Sequence, residues 1–209
     1  MFKHQIKISL TLLYLACLVS CHQQSDTLFQ LIPAEESGIT FINTITETEE
    51  FNILTEEYIY NGGGVGVADF NNDGLPDLYF TGNQVTDKLY LNKGDFQFED
   101  VSQAAGISEV NFWSSGVSVV DINQDGLMDV YVSVTMDKDS TKRQNLLYIN
   151  KGIDNGIPIF QESAKVYGLN DMGNTTQSTF FDYDKDGDLD VYLLTNVIDT
   201  KLPGSYRPK

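Results

Sequence analysis

Oxygen-bearing side chains are crowded into three short loops of this sequence. Counted from its first aspartate as position 1, each loop has side-chain oxygens at positions 1, 3, 5 and 9 and glycine at position 6. We call residues 69–77 loop 1, residues 121–129 loop 2 and residues 182–190 loop 3. Carboxylates held this close together repel one another unless a positive charge lies between them. The spacing therefore predicts a cation site in each loop.

Calcium is the cation that this donor set favours. Ca²⁺ accepts oxygen ligands, and a curling loop supplies them from alternate side chains, with glycine at the tight turn and a backbone carbonyl at position 7. Neither histidine nor cysteine occurs in the loops, which argues against zinc, and magnesium would keep more waters. The predicted ligands are Asp69, Asn71, Asp73, Leu75 and Asp77 in loop 1, Asp121, Asn123, Asp125, Leu127 and Asp129 in loop 2, and Asp182, Asp184, Asp186, Asp188 and Asp190 in loop 3.

An EF-hand and a polar turn without metal are two other interpretations of the loops. An EF-hand would need a glutamate at position 12, where this chain has Phe80, Val132 and Leu193, each expected inside a strand. A polar turn without metal is the simpler alternative, because Asp, Asn and Gly favour turns by themselves. Threefold recurrence of the same donors and glycine favours the calcium sites, with loop 3 binding most tightly because position 3 is also an aspartate there.

The loops belong to a longer internal repeat. Each loop is followed by a short apolar run. Loops 1 and 2 are then followed by LYLNKG from Leu89 or LYINKG from Leu147, and later by FEDVSQAAGI from Phe98 or FQESAKVYGL from Phe160, whereas the third repeat lacks these segments. Apolar runs rich in Val, Tyr, Phe and Leu and bounded by Gly, Asn and Asp are typical of strands joined by turns. About four strands per repeat is the content of one β-propeller blade, so an all-β fold is predicted.

The repeat predicts the organisation of the chain. Repeats are expected at 61–112, 113–173 and, in part, 174–209, which makes about two and a half blades. A closed propeller typically needs four to eight blades, so the ring is incomplete and the chain is expected to be a fragment of a longer protein. Residues 29–60 form an N-terminal strand region, and FQLIPAEESGI from Phe29 resembles the end of a repeat. We expect it to supply an outer strand to the last blade of a complete ring.

The N-terminus has the pattern of an export signal. Two lysines precede the apolar run at residues 8–20, which is too short to span a membrane comfortably. The run ends in Leu-Val-Ser-Cys, which resembles the signal of bacterial lipoproteins and implies removal of residues 1–20, lipidation of Cys21 and a tether at 21–28. A membrane partner through the lipid anchor and a bacterial cell-envelope location, at the outer membrane or cell surface, are therefore expected. An ordinary signal peptide is the alternative.

Charge and composition exclude several function classes. The net charge of −17 argues against binding nucleic acid, which is itself an anion. Both histidines, His4 and His22, lie in the signal and the tether, so no histidine-based catalysis is predicted and no catalytic residue is assigned. The stretch Asn111-Phe112-Trp113 is either an aromatic platform for sugars on one face or a plain packing element.

The loops, the LYxNKG strands and the glycine turns together resemble FG-GAP/VCBS-repeat proteins. The similarity extends to the ASPIC/UnbV (cartilage-acidic-protein-like) group of bacterial envelope lipoproteins, with residues 61–83 as the most specific segment and coverage of about 29–200. It implies an integrin-α-like propeller that acts as an adhesion or protein- or glycan-binding module. A literal Phe-Gly…Gly-Ala-Pro and a C-terminal ASPIC/UnbV segment are absent from the sequence. The alternative is the calcium-dependent propeller of a polysaccharide lyase whose active site lies in blades outside this chain.

Overall fold

A computed structural model describes residues 27–107, 111–137 and 139–196. The predicted signal peptide, Cys21, most of the tether and residues 197–209 lie outside the described residues. Over the described residues, no helix combines the length and apolar character that a membrane-spanning helix requires. Among the described residues, those from 33 to 196 belong to one compact unit and residues 27–32 to another, so residues 27–32 are considered by themselves. Their Leu28, Phe29 and Leu31 are highly exposed.

The described residues contain ten strands in three antiparallel sheets, and within each sheet successive strands pair in chain order. The first sheet contains β1 (Val65–Ala68), β2 (Asp77–Phe80), β3 (Lys88–Asn92) and β4 (Phe98–Asp100). The second sheet contains β5 (Ser114–Val120), β6 (Asp129–Val134), β7 (Leu146–Asp154) and β8 (Ile157–Glu162). The third contains β9 (Asn174–Phe181) and β10 (Asp190–Asn196). The predicted all-β fold of propeller blades, two complete and one partial, is confirmed.

Helical structure is confined to short connections in the described chain. These are α1 (Ala34–Ser37), α2 (Ala164–Tyr167) and a 3₁₀ turn at Ser140–Lys142. The described part of the N-terminal strand region contains α1 and no strand, so its role in closing a ring stays a prediction.

One contact explains why the segment after Phe29 resembles the end of a repeat. Gly38 has a positive φ of 75°, and a β-carbon there would collide with the carbonyl oxygen of Phe98 on β4. Gly106 has a φ of 81°, and its β-carbon would lie 2.8 Å from the carbonyl oxygen of Phe160 on β8. Each glycine therefore contacts the last strand of the sheet that follows it in the chain, β4 for Gly38 and β8 for Gly106. A residue with a β-carbon would not fit easily at either place.

The core forms where successive sheets face each other. All six residues of β6 are buried, because this strand is covered on both faces. Val130 and Val132 belong to a cluster with Tyr79 and Phe160, whereas Tyr131 belongs to a second cluster packed against Phe180 of the third sheet. Alternate side chains of β6 thus pack in two interfaces, one with the first sheet and one with the third sheet. The stacked sheets fix the hairpins that connect β1 to β2, β5 to β6 and β9 to β10.

Candidate metal centres

Loop 2 connects β5 to β6 and is organised by its own carboxylates. The two oxygens of Asp121 accept the backbone N–H groups of Asp125 at 3.0 Å and Gly126 at 2.9 Å. The side chain of Asp125 accepts the backbone N–H of Leu127 at 2.9 Å. The amide nitrogen of Asn123 donates to the other Asp125 oxygen at 2.9 Å. These hydrogen bonds curl the loop so that its oxygen-bearing side chains lie close to one another.

Loop 1 repeats this arrangement between β1 and β2. Asp69 accepts from the backbone of Asp73 at 3.0 Å and of Gly74 at 2.7 Å. Asn71 donates to Asp73 at 3.0 Å, and Asp73 accepts from the backbone of Leu75 at 2.9 Å. Position-by-position agreement between loops 1 and 2 shows that the sequence pattern specifies one local structure.

Loop 3 brings carboxylates closest to one another. One oxygen from each of Asp182, Asp184 and Asp190 lies within 4.8 Å of the other two, a spacing that could hold a metal ion. These residues occupy positions 1, 3 and 9. Asp186 and Asp188, which the sequence also nominates as ligands, are not part of that group; the side chain of Asp186 instead accepts the backbone N–H of Asp188 at 3.1 Å.

In loops 1 and 2, the aspartate at position 9 connects the loop to the rest of its sheet by hydrogen bonds. Asp129 is fully buried and accepts from the backbone of Ile122 at 3.0 Å and of Asn150, on β7, at 2.8 Å. Asp77 makes the corresponding bonds to the backbone of Phe70 at 2.9 Å and of Asn92 at 2.8 Å. Position 9 therefore anchors the loop across two strands, whether or not a cation is bound.

Burial makes these anchoring carboxylates sensitive to nearby charge. Burial, together with the negative charges of Asp125 and Asp121, raises the pKa of Asp129 to about 6, although the two backbone hydrogen bonds oppose the shift. Burial raises the pKa of Asp77 for the same reason. A nearby cation would favour the charged form of either carboxylate.

No basic side chain neutralises the loops within the described residues. The ion pairs found there are Lys88–Asp100 and Lys93–Glu99, and both lie away from the loops. The donor chemistry, carboxylate and amide oxygens in a short loop, fits a hard divalent cation such as Ca²⁺. The residues of positions 1, 3, 5 and 9 would hold it, with Leu75 and Leu127 offering backbone carbonyls. The residues at position 12 lie in β2, β6 and β10, so the hairpins are not EF-hands.

Sequence reasoning missed a buried polar cluster at the other end of the first sheet. Asp87 is 8% exposed and accepts the hydroxyl of Tyr79 at 3.0 Å and the backbone N–H of Gly82 at 2.9 Å. In the second sheet Asn145 occupies this place, accepting from the backbone of Val134 at 2.8 Å and donating to the hydroxyl of Tyr131 at 3.0 Å. Aligning the two strands that contain LYxN would have paired Asp87 with Asn145, each two residues before the LY pair.

Comparisons with known proteins agree with this architecture. Residues 69–132, from loop 1 to the middle of β6, match the family model described as an FG-GAP-like repeat. T-cell immunomodulatory protein homolog of Plasmodium yoelii yoelii is 31% identical over 143 residues, which is 63% of this chain and 20% of the relative.

Two further proteins are similar in sequence to parts of this chain. Cartilage acidic protein 1 of Xenopus tropicalis is 32% identical over 72 residues, which is 34% of this chain and 11% of the relative. Integrin alpha-4 of Xenopus laevis is 28% identical over 195 residues, which is 83% of this chain and 18% of the relative. The chain spans a fifth or less of the length of these curated relatives. None of these names is that of an enzyme. Residues 69–132 thus match an FG-GAP-like repeat, and the antiparallel sheets that contain them have the arrangement of β-propeller blades.

Proposed function

We propose that this chain is a calcium-binding repeat module of a cell-envelope lipoprotein and that it mediates adhesion by binding a protein or a glycan. The observation that supports calcium binding is the recurrence of one loop structure. Asp69, Asp121 and Asp182 each accept two backbone N–H groups of their own loop, from positions 5 and 6. Such a loop presents several oxygens toward one point without a basic side chain to neutralise them.

The bound ions would stabilise the loops and the sheets to which the loops are attached. Ca²⁺ would supply positive charge among carboxylates that otherwise repel one another. Because Asp77 and Asp129 also accept from the backbone of the third strand of their sheets, stabilising a loop stabilises the sheet behind it. The proposed role of calcium is therefore to rigidify blades, while recognition takes place elsewhere on the surface.

Calorimetry of the full chain, freed of metal by chelation, tests the metal assignment. Titration with CaCl₂ should show three sites, and Asp121→Asn, which removes one carboxylate charge at position 1 of loop 2, should reduce that number to two or weaken one site strongly. Asp95→Asn, in the exposed turn between β3 and β4, is the matched control and should leave all sites intact. Absence of calcium binding by the unmodified chain would overturn the proposal.

Attachment to the envelope requires a separate experiment. The proposed lipid anchor at Cys21 predicts incorporation of labelled palmitate when the chain is expressed in bacteria, with the product recovered in the membrane fraction. Cys21→Ala should abolish the label and release the protein. An unlabelled, soluble product from the unmodified chain would contradict the anchor without bearing on the calcium sites.

A further inference from the structure

Two adjoining cavities lie at the end of the sheets opposite the metal loops. The smaller cavity has a volume of about 220 Å³. It is lined by residues near the first positions of β1, β5 and β9, including Gly63, Gly116 and Thr176, and by residues near the last positions of β6 and β10. The larger has a volume of about 450 Å³ and is lined by residues that include Glu50, Phe51, Asn111 and Asp137. Trp113 and Met136 line both cavities. β5 runs from this end to loop 2, so Trp113 and Asp121 are separated by eight residues of strand, roughly 25 Å.

Trp113 is held in place between the cavities. Its ring packs edge-on against Phe51 with centroids 5.3 Å apart and an interplanar angle of 66°. Its backbone carbonyl accepts the N–H of Thr135 at 3.0 Å, which ties the residue to the end of β6. The neighbouring Phe112 packs against the main core. The ring is therefore fixed on one side while its remaining surface contributes to both cavities.

The fold itself does not require an aromatic residue at this place. Eight residues before the first aspartate of its loop, the second repeat has Trp113, whereas the first has Asn61 and the third has Asn174. In all three sheets, the two strands that flank the metal loop pair with each other in an antiparallel hairpin. Trp113 is thus a departure from the repeat, on the surface of a cavity, and it is the one tryptophan of the sequence.

The polar groups around the ring include both donors and acceptors. Asn111 is exposed, and its amide donates one N–H to the backbone carbonyl of Gln84 at 3.4 Å, which leaves a second N–H. Within the described residues, the indole N–H of Trp113 is a further donor at the cavity surface. Asp137 uses one carboxylate oxygen to accept the backbone N–H of Asp139 at 2.8 Å, which leaves its other oxygen for a ligand. Glu50 adds a further carboxylate to the larger cavity. Basic side chains are missing from the described lining of both cavities.

We propose that Trp113 and the two cavities beside it form a binding site for a neutral oligosaccharide. The C–H face of a sugar ring would pack on the indole, and its hydroxyl groups would accept from Asn111 and donate to Asp137. Two cavities on either side of one aromatic ring suit an extended chain of sugars. The inference deepens the proposed recognition role by naming a site and a ligand class.

Other ligand classes fit the same lining less well. An anionic ligand would meet the carboxylates of Glu50 and Asp137 in a described lining without basic side chains, since the nearby Arg143 is engaged by the backbone carbonyls of Asp137 and Met172. A cationic side chain could stack on Trp113 and pair with those carboxylates, but it offers only donors. The second N–H of Asn111 and the indole N–H would then lose water without gaining an acceptor, which is costly. A neutral polyol satisfies donors and acceptors together.

Fluorescence of the single tryptophan gives a site-specific test. The full chain would be titrated in calcium with cellohexaose, laminarihexaose, xylohexaose, mannohexaose, maltohexaose and chitohexaose. At least one should produce a saturable change in the emission of Trp113. Calorimetry with that sugar should then show at least about tenfold weaker binding for Trp113→Ala and a smaller loss for the exposed Asn111→Ala. Phe96→Ala, an exposed aromatic in the β3–β4 turn, should bind normally.

Each outcome of this test bears on the inference. No response to any of the six sugars, or sugar binding that survives both Trp113→Ala and Asn111→Ala, overturns it. Binding of oligolysine in place of the sugars, with the same dependence on Trp113, also overturns it in favour of a cationic partner. Calcium stoichiometry measured on the same samples keeps the metal assignment separate, because sugar binding can fail while three calcium sites remain.

Discussion

The side-chain amide of Gln124 in loop 2 donates to the backbone carbonyl of Gly187 in loop 3 at 3.2 Å. Asn72 makes the equivalent but longer contact from loop 1 to Gly126 of loop 2 at 3.5 Å. Both donors stand at position 4 of their loops, and both have positive φ, 57° for Gln124 and 55° for Asn72. Position 4 therefore projects toward the next loop in the chain, and position 6 of that loop receives it.

This bridge predicts that neighbouring metal loops are linked. Gln124→Met keeps the length of the side chain but removes the donor, so the carbonyl of Gly187 loses a partner. We expect a loss of stability below about 1 kcal/mol and weaker calcium binding at loop 3, measured by calorimetry and thermal melting. Gln103→Met, at an exposed turn outside the loops, is the control. Unchanged calcium binding at loop 3 would show that the bridge carries no coupling.

Loop 3 should lose more than the other loops when a carboxylate is removed. Its side-chain donors are all aspartates, and three of them already lie within 4.8 Å of one another. We expect Asp186→Ala to lower the calcium stoichiometry by one and to reduce the extra Tm that calcium provides. Calorimetry that still found every site would defeat the assignment of Asp186 as a ligand, and Asp184→Ala would then test the closer group by itself.

Stability should depend on pH through Asp87. Burial raises the pKa of this carboxyl to about 6, although hydrogen bonds from Gly82, Ser114 and Tyr79 oppose the shift. The folded chain then holds a proton that the unfolded chain releases, so stability falls as pH rises from about 4 through 6. Asp87→Asn, which copies Asn145 of the second sheet, should gain about 3 kcal/mol at pH 8 and only about 1 kcal/mol at pH 4.5.

The measurement is the difference in Tm between Asp87→Asn and the unmodified chain across this pH range, with chelator present throughout. A gain of roughly 6 to 12 °C at pH 8 corresponds to the expected free energy. Asp95→Asn, which makes the same change at an exposed side chain, is the control. A constant difference across the range would mean that Asp87 does not titrate there.

Tyr131 and Tyr192 form a matched pair for testing how the sheets support each other. They stand at the same position after their loops, but Tyr131 is fully buried and Tyr192 is 63% exposed. The Tyr131 hydroxyl donates to the carbonyl of Leu169 at 2.8 Å and its ring packs on Phe180. Tyr131→Ala should cost about 3 to 5 kcal/mol and Tyr192→Ala less than about 1 kcal/mol, measured by denaturant unfolding. Equal losses would contradict the packing.

Local features of this chain could be predicted because they repeat. The loops, their glycines and the strands that follow are encoded within a dozen residues, so three copies make the pattern readable from sequence. Trp113 was open to two interpretations, because its cavity depends on Phe51 from a segment that has no regular strand and no counterpart in the repeats. Asp87 escaped notice because burial of a carboxylate depends on the adjoining sheet, which composition and spacing do not reveal.

Met136, which lines both cavities beside Trp113, has a φ of 67°, a left-handed conformation that non-glycine residues rarely adopt. Its backbone N–H is held by the side-chain oxygen of Asn174 at 3.2 Å. Such a conformation costs on the order of 1 kcal/mol or more. Met136→Gly would relieve this strain and would also remove the thioether side chain that lines both cavities. The strained backbone of Met136 thus lies in the wall of the proposed sugar site, and the proposal implies that stability is given up there for recognition.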